Sequence, residues 1–327
     1  MQISNSKLNT YRRCPNKFRY RYVLKLRPKK RVVQLERGSW IHELLMVHND
    51  GEDWRIRHRQ LTKKFQNLWE EEREDLGDLP GECARIMFAY LRTYKSDAQR
   101  YRVIDSELDE VVSLPNGLKL NVIVDVVLED IIDGGIWLRD YKTRDKFTRS
   151  ENMMLDPQMT LYFWSMEQMG YKPIRGAQYD EIRTKAPSAP HLNKDGGLSK
   201  AKSIDTDVWT YMHEIKRYDL DPADYEDILR HIAVNQKDRF FRRTPIPKDR
   251  PVIQTTMREA VQTAQEIQQA EQRHRFPRTF DTSCTWQCEY RDLCIAELYG
   301  GNIDPLIKMN FEQGKDGDGS RRRLKKF

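Results

Sequence analysis

Trp137-Leu138-Arg139-Asp140-Tyr141-Lys142-Thr143 places a carboxylate, Asp140, and an ammonium, Lys142, one residue apart. Ile136, Trp137, Leu138 and Tyr141 favour sheet, so the stretch reads as a strand. On a strand that spacing turns both charged groups to one face. Just upstream, Asn121-Val122-Ile123-Val124-Asp125 reads as a second strand ending in a carboxylate. Between them Asp133-Gly134-Gly135 is a hairpin signal, which predicts that Asp125 and Asp140 stand on neighbouring antiparallel strands. Two carboxylates and a lysine form an oxygen-rich set that suits Mg2+ or Mn2+ better than zinc. In isolation an Asp-x-Lys pair would be an exposed ion pair; the second carboxylate is what turns the reading toward metal-assisted hydrolysis.

Asp125 followed by Asp140-Tyr141-Lys142-Thr143 resembles the core of the PD-(D/E)XK nucleases. The similarity is to the RecB-like branch, which includes the AddB nuclease domain and the CRISPR-associated RecB-like exonucleases. Other stretches match the branch in the same order. Ser6-x-Leu8-x-x-Tyr11-x-x-Cys14-Pro15-x-x-Phe18 resembles the opening of its iron–sulfur members. Gly38-x-x-x-His42 resembles the element whose histidine is a metal ligand, and Gln158-x-x-x-Tyr162 the element that follows the lysine. Spaced i and i+4, Gln158 and Tyr162 share one helix face. Glu107 resembles an acidic position ahead of the catalytic Asp, with Asp105 the alternative.

The resemblance implies a fold and a mechanism. The fold is α/β: a PD-(D/E)XK, restriction-endonuclease-like core of mixed central sheet flanked by helices, with helical N- and C-terminal parts. Asp125, Asp140, His42 and the backbone carbonyl of Tyr141 would hold Mg2+ or Mn2+, with Glu107 assisting. Lys142 would position or activate the water, and Gln158 and Tyr162 would stand near the scissile phosphate. The activity implied is a deoxyribonuclease, an exonuclease above all.

Cys284, Cys288 and Cys294 fall within eleven residues and require a joint explanation. The chain opens without an apolar signal region, which points to a reducing, cytoplasmic compartment and against disulfides. A metal centre remains, and four thiolates complete either an iron–sulfur cluster or a tetrahedral zinc site, with Cys14 the fourth. In the iron–sulfur RecB-like nucleases one N-terminal cysteine joins three C-terminal ones around a [4Fe–4S] cluster. This chain departs in its first gap, which is three residues where two is commoner; zinc is the alternative. Cys83, remote from the others, reads as a small buried hydrophobe.

Mean hydropathy is −0.83, and no apolar run approaches the length of a membrane span. The net charge of +7 is unevenly placed: residues 1–37 hold twelve Lys/Arg against one Glu. Nucleic acid is the leading partner for such a segment. Arg12, Arg13, Lys17, Arg19 and Arg21 interleave with Tyr11, Phe18, Tyr20 and Tyr22, as cations that track phosphates and rings that either stack bases or fill core. The expected divisions are 1–100, a basic helical part with Cys14 and His42; 101–185, the core sheet; 186–300, a helical part with the cysteines; and 301–327, a disordered basic tail. With no phosphate-binding loop of its own, the chain reads as a free-standing phage or mobile-element recombination enzyme. Its expected companions are DNA and a single-strand annealing protein or a helicase, with CRISPR adaptation as another setting. The competing classes are a catalytically silent DNA-binding scaffold and a zinc-stabilised accessory protein.

Overall fold

The computed structural model describes residues 2–114 and 117–314. Pro115 and Asn116, where a turn is expected, and residues 315–327 of the expected tail lie outside them. The strands are Gln2–Ser4 (β1), Leu26–Pro28 (β2), Tyr101–Ser113 (β3), Lys119–Asp130 (β4), Ile136–Arg144 (β5), Ile174–Arg183 (β6), Phe241–Pro247 (β7) and Phe311–Gln313 (β8). Six of them form one mixed sheet, and β2 pairs with β8 in a separate two-stranded ribbon.

β4 is the axis of the sheet. One of its edges pairs with β3 along nearly its whole length. The other edge is shared. Near its start Lys119–Asn121 pair in parallel with β1; near its end Val126–Glu129 pair antiparallel with β5. The edge between Asn121 and Val126 is therefore where β1 and β5 face each other across a gap. Beyond β5 the sheet continues through parallel β6 and antiparallel β7. β5 and β6 are joined across the sheet by the helix Pro157–Gln168, as parallel neighbours require.

The sheet extends beyond the expected 101–185. β1, only three residues long, is held less by its ladder than by Ile3, 1% exposed in the core; burying such a side chain contributes roughly 1.5–3 kcal/mol. Helices cover both faces. On one face the first helix (Asn5–Arg13), Pro157–Gln168 and Arg250–Gln272 pack around Leu120, Val122, Val124 and Leu138. On the other, Val33–Asn49, Trp54–Gln66 and Leu79–Thr93 pack on Val126, Leu128 and Tyr141. Among the described residues there are two smaller apolar clusters. One joins Val208–Arg217 to Glu226–Asn235; the other gathers Tyr20, Leu26, Tyr290, Leu293 and Phe311 from the two ends of the chain.

The helix carrying His42 begins at Val33, and Gly38, which as a glycine would suit a helix start, is in its interior. Gly38 lies inside it because a Cβ there would meet the Thr143 hydroxyl oxygen at 2.9 Å, so the glycine lets the helix close on the end of β5. The segment after 300 is also ordered at its start: Asp304–Asn310 is helical and β8 follows. Cys83 is fully buried as expected, and burial pushes its thiol up to about 12.

Candidate active site

The site forms where β4 and β5 part. Their ladder ends at Val126–Arg139, so Asp125 and Asp140 are the first residues beyond it. The backbone N–H of Tyr141 would lose its partner there; it donates instead to the Asp125 carboxylate at 2.6 Å. Side-chain alternation along β4 slips at the same place. Val124 packs on one face and Val126 on the other, although they are two residues apart. In β3 the matching position is Glu107, between the pairs Ser106–Val126 and Leu108–Val124, and its φ is +50°. A non-glycine residue in that region is strained, and such strain concentrates at functional sites.

These irregularities gather three donors. One ligand atom each from His42, Glu107 and Asp125 lie mutually within 4.8 Å, and all three residues are buried. His42 Nδ1 is 3.4 Å from Asp125 Oδ2, and the imidazole packs edge-on against the Tyr141 ring. One imidazole and two carboxylates, out of water and close together, suit a divalent cation that takes oxygen and nitrogen donors. Asp105, the alternative to Glu107, spends its carboxylate on the N–H of Ser106.

Asp140 stands beside that group rather than in it. Lys142 Nζ lies 2.5 Å from Asp140 Oδ2 and donates to Gln158 Oε1 at 2.9 Å. Gln158 Nε2 donates to Asp140 Oδ1 at 2.7 Å and to the Tyr162 hydroxyl at 2.6 Å. Asp156 caps the helix Pro157–Gln168 and so fixes where Gln158 emerges. Lys142 also sits over the Tyr179 ring, 5.6 Å from its centre. Burial first, then the Asp156 and Asp140 carboxylates, push the Tyr179 hydroxyl strongly up, so that ring presents a neutral floor.

Asp125, Asp140, Gln158 and Tyr162 line one pocket with Ile123 and Asn121 of β4 and with Ser4, Asn5 and Ser6. The last three residues end β1 and begin the first helix. By type, Ser4 and Asn5 are residues that cap a helix start. Ser4 does cap the helix, accepting from the N–H of Lys7. Its place in the pocket follows from the pairing of β1 with β4, which nothing local in the sequence announces.

Three cations of the basic segment have counter-ions within the chain. Lys17 and Arg21 pair with Glu289, and Arg19 and the Tyr20 hydroxyl meet Glu297. Arg12 donates to the Thr263 hydroxyl. Arg13 is near enough to Asp281 to help lower its carboxyl pKa, chiefly the work of Ser283 hydrogen bonds. Phe18 and Tyr20 are core, while Tyr11 and Tyr22 pack partly buried against it.

Cys14 ends the first helix, and Asn16 donates to Cys294 Sγ at 3.7 Å. Cys288 is pushed up mainly by burial, with Lys17 and Cys284 among its charged neighbours. The four cysteine segments therefore meet in one lobe. Among the described residues no three thiols lie mutually within 4.8 Å; around one tetrahedral zinc they would be about 3.8 Å apart at Zn–S distances near 2.3 Å.

A family model described as the PD-(D/E)XK nuclease superfamily matches residues 2–295, and the chain belongs to that superfamily. Among solved structures it is similar to SSO0001, at 11% identity and a TM-score of 0.36, over 91% of this chain and 84% of that one. It is also similar to a chain from Eubacterium rectale provisionally described as an exonuclease, at 12% identity and a TM-score of 0.38, over 75% of this chain and 84% of that one. No curated protein matches it. Among the described residues no helix is long and apolar enough to cross a membrane.

Proposed function

We propose that this chain is a Mg2+- or Mn2+-dependent deoxyribonuclease that hydrolyses phosphodiester bonds at DNA ends, in recombination or end processing. The observation that carries the reading is a convergence on one place. Three buried metal-type donors stand beside a lysine–carboxylate–amide set where β4 and β5 part. His42, Glu107 and Asp125 would hold the ion, with Asp140 and the backbone carbonyl of Tyr141 as further ligands. A divalent ion bound there lowers the pKa of a water and polarises the phosphate. Lys142 has three N–H donors; Asp140 and Gln158 engage two and fix its direction, leaving the third for a water or a phosphate oxygen. Tyr162, through its hydrogen bond with Gln158, keeps that amide oriented.

The test is degradation of end-labelled linear and circular DNA with Mg2+ or Mn2+, by wild-type protein and Lys142→Ala. The expected result is loss of linear DNA alone, reduced at least roughly 100-fold by the substitution. Cleavage of circles would make the enzyme an endonuclease. Binding without cleavage in either metal would replace the enzyme with a scaffold.

For the cysteines we infer a [4Fe–4S] cluster held by Cys14, Cys284, Cys288 and Cys294, serving as a clasp between the chain ends. The meeting of the Cys14 and Cys284–Cys294 segments in one lobe supports this. Anaerobically purified protein should then be brown and contain iron; stoichiometric zinc without iron would exclude the cluster.

A further inference from the structure

We propose that the first turn of the first helix is a wall of the catalytic pocket, where the side chains of Asn5 and Ser6 contact the phosphodiester being cut. The proposal rests on the nuclease reading above and adds substrate-contacting residues from a segment with no part in the metal site.

Topology carries the argument. β1 and β5 share one edge of β4 and run toward each other along it. β1 stops at Ser4, paired with Asn121, four residues short of Asp125 on the same strand. β5 leaves the ladder after Arg139. The opening between them is the pocket, with Asp125 and Asp140 on one side and Ser4, Asn5 and Ser6 on the other. A backbone phosphate close enough for Asp125 and Asp140 to act on has these three residues opposite it.

Their chemistry suits that neighbour. Asn5 Oδ1 is occupied, accepting from Asn9 Nδ2 at 3.3 Å, so the amide nitrogen is the group left to donate. Ser6 uses its carbonyl to accept from the Thr10 hydroxyl, while its own hydroxyl has no partner among the described residues. Ser6 is exposed and Asn5 partly so. Asp125 and Asp140 could face a phosphate only through a bound cation, whereas the neutral N–H and O–H donors of Asn5 and Ser6 can meet its oxygens directly, without adding charge to the wall. Gln2 also ties its amide to Asn121 at 3.1 Å, and Lys7 ties its ammonium to the carbonyl of Gln2 at 2.9 Å. These contacts hold the wall in place before any substrate arrives.

The deciding variant is Asn5→Asp, nearly the same size. Asp is favoured in the first turn of a helix, so the fold should melt at the same temperature or higher. A carboxylate facing a phosphate is repulsive, and kcat/KM on linear DNA should fall by roughly tenfold or more. Ser6→Ala should lower it by a smaller factor, and Mn2+ affinity should be unchanged in both. A merely structural Asn5 would couple any loss of activity to a loss of melting temperature. Undiminished cutting by Asn5→Asp would overturn the proposal, as would a fall matched by a change in Mn2+ affinity. If the wild-type protein cuts no DNA, the nuclease reading fails separately. The wall is then read from binding of a labelled oligonucleotide in Ca2+: weaker for Asn5→Asp supports it, and equal overturns it.

Discussion

Glu107 shows what a sequence can and cannot say about one residue. As acidic side chains two positions apart ahead of Asp125, Asp105 and Glu107 are equivalent in sequence. Backbone conformation separates them. At φ +50° Glu107 breaks the strand's alternation, and its carboxylate reaches His42 and Asp125. That conformation penalises any residue with a Cβ. Glu107→Gly removes the penalty and the ligand together. Its melting temperature should hold or rise, while Mn2+ affinity measured by calorimetry falls at least about tenfold. Glu107→Gln keeps the strain and should lose affinity without gaining stability. If Glu107→Gly instead binds Mn2+ like the wild type, the residue is not a ligand. By contrast, the hairpin signal was enough to place Asp125 and Asp140 on neighbouring antiparallel strands, and the one-residue spacing to put Lys142 beside Asp140, without tertiary information.

At the scale of elements, the long periodic helices and β3 to β6 could be read, and β1 could not. Three residues carry no period, and a parallel pairing across more than a hundred residues leaves no local trace. The same is true of the contacts that hold loops to the sheet. Asp205 ends the long segment after β6 and accepts from Arg183 Nη1 at 2.7 Å and from Arg239, with Lys185 Nζ at 3.4 Å. Asp205 is thus the counter-ion of Lys185 at the end of β6, a pairing that nothing local in the sequence announces. Burial alone would raise the Asp205 carboxyl, but hydrogen bonds from Arg239 and Arg183 outweigh it and hold the group at about 2, below its ordinary 3.8. A depressed folded pKa contributes stability above the unfolded value, and that contribution is lost as pH falls through the folded one. Asp205→Asn should therefore cost up to about 2 kcal/mol at neutral pH. Urea melts should show the gap to wild type narrowing toward about pH 3 and closing below the folded pKa. A gap that is constant with pH would mean the substitution acts through packing rather than charge.

At the scale of the whole molecule, the segment around residues 19–28 closes on the segment around residues 278–313. Tyr20 stacks on Tyr290, Tyr290 on Phe311, and the Tyr290 hydroxyl donates to the carbonyl of Leu26. β2 and β8 complete the join, and Glu297 gathers Arg19, Tyr20 and Arg278. The first helix runs from this join at Cys14 to the pocket at Asn5, so the lobe around β2 and β8 and the candidate site are linked by one short helix. Along residues 1–37 the sequence displays cations without their distant counter-ions, so DNA contact and internal pairing read alike there. The two uses differ in measurable ways. Residues that track DNA lower the slope of log affinity against log salt by about 0.9 each when removed. Residues that pair within the protein leave that slope alone and lower stability, by up to about 1 kcal/mol for a partly exposed pair. Lys17 and Arg21 share Glu289, with side chains 28% and 39% exposed. Lys17→Ala and Arg21→Ala should each lower the melting temperature slightly and leave the salt slope of DNA binding unchanged. Glu289→Ala should mimic the loss of stability without touching a cation. A slope that drops by about one in either cation variant would return this segment to the DNA interface.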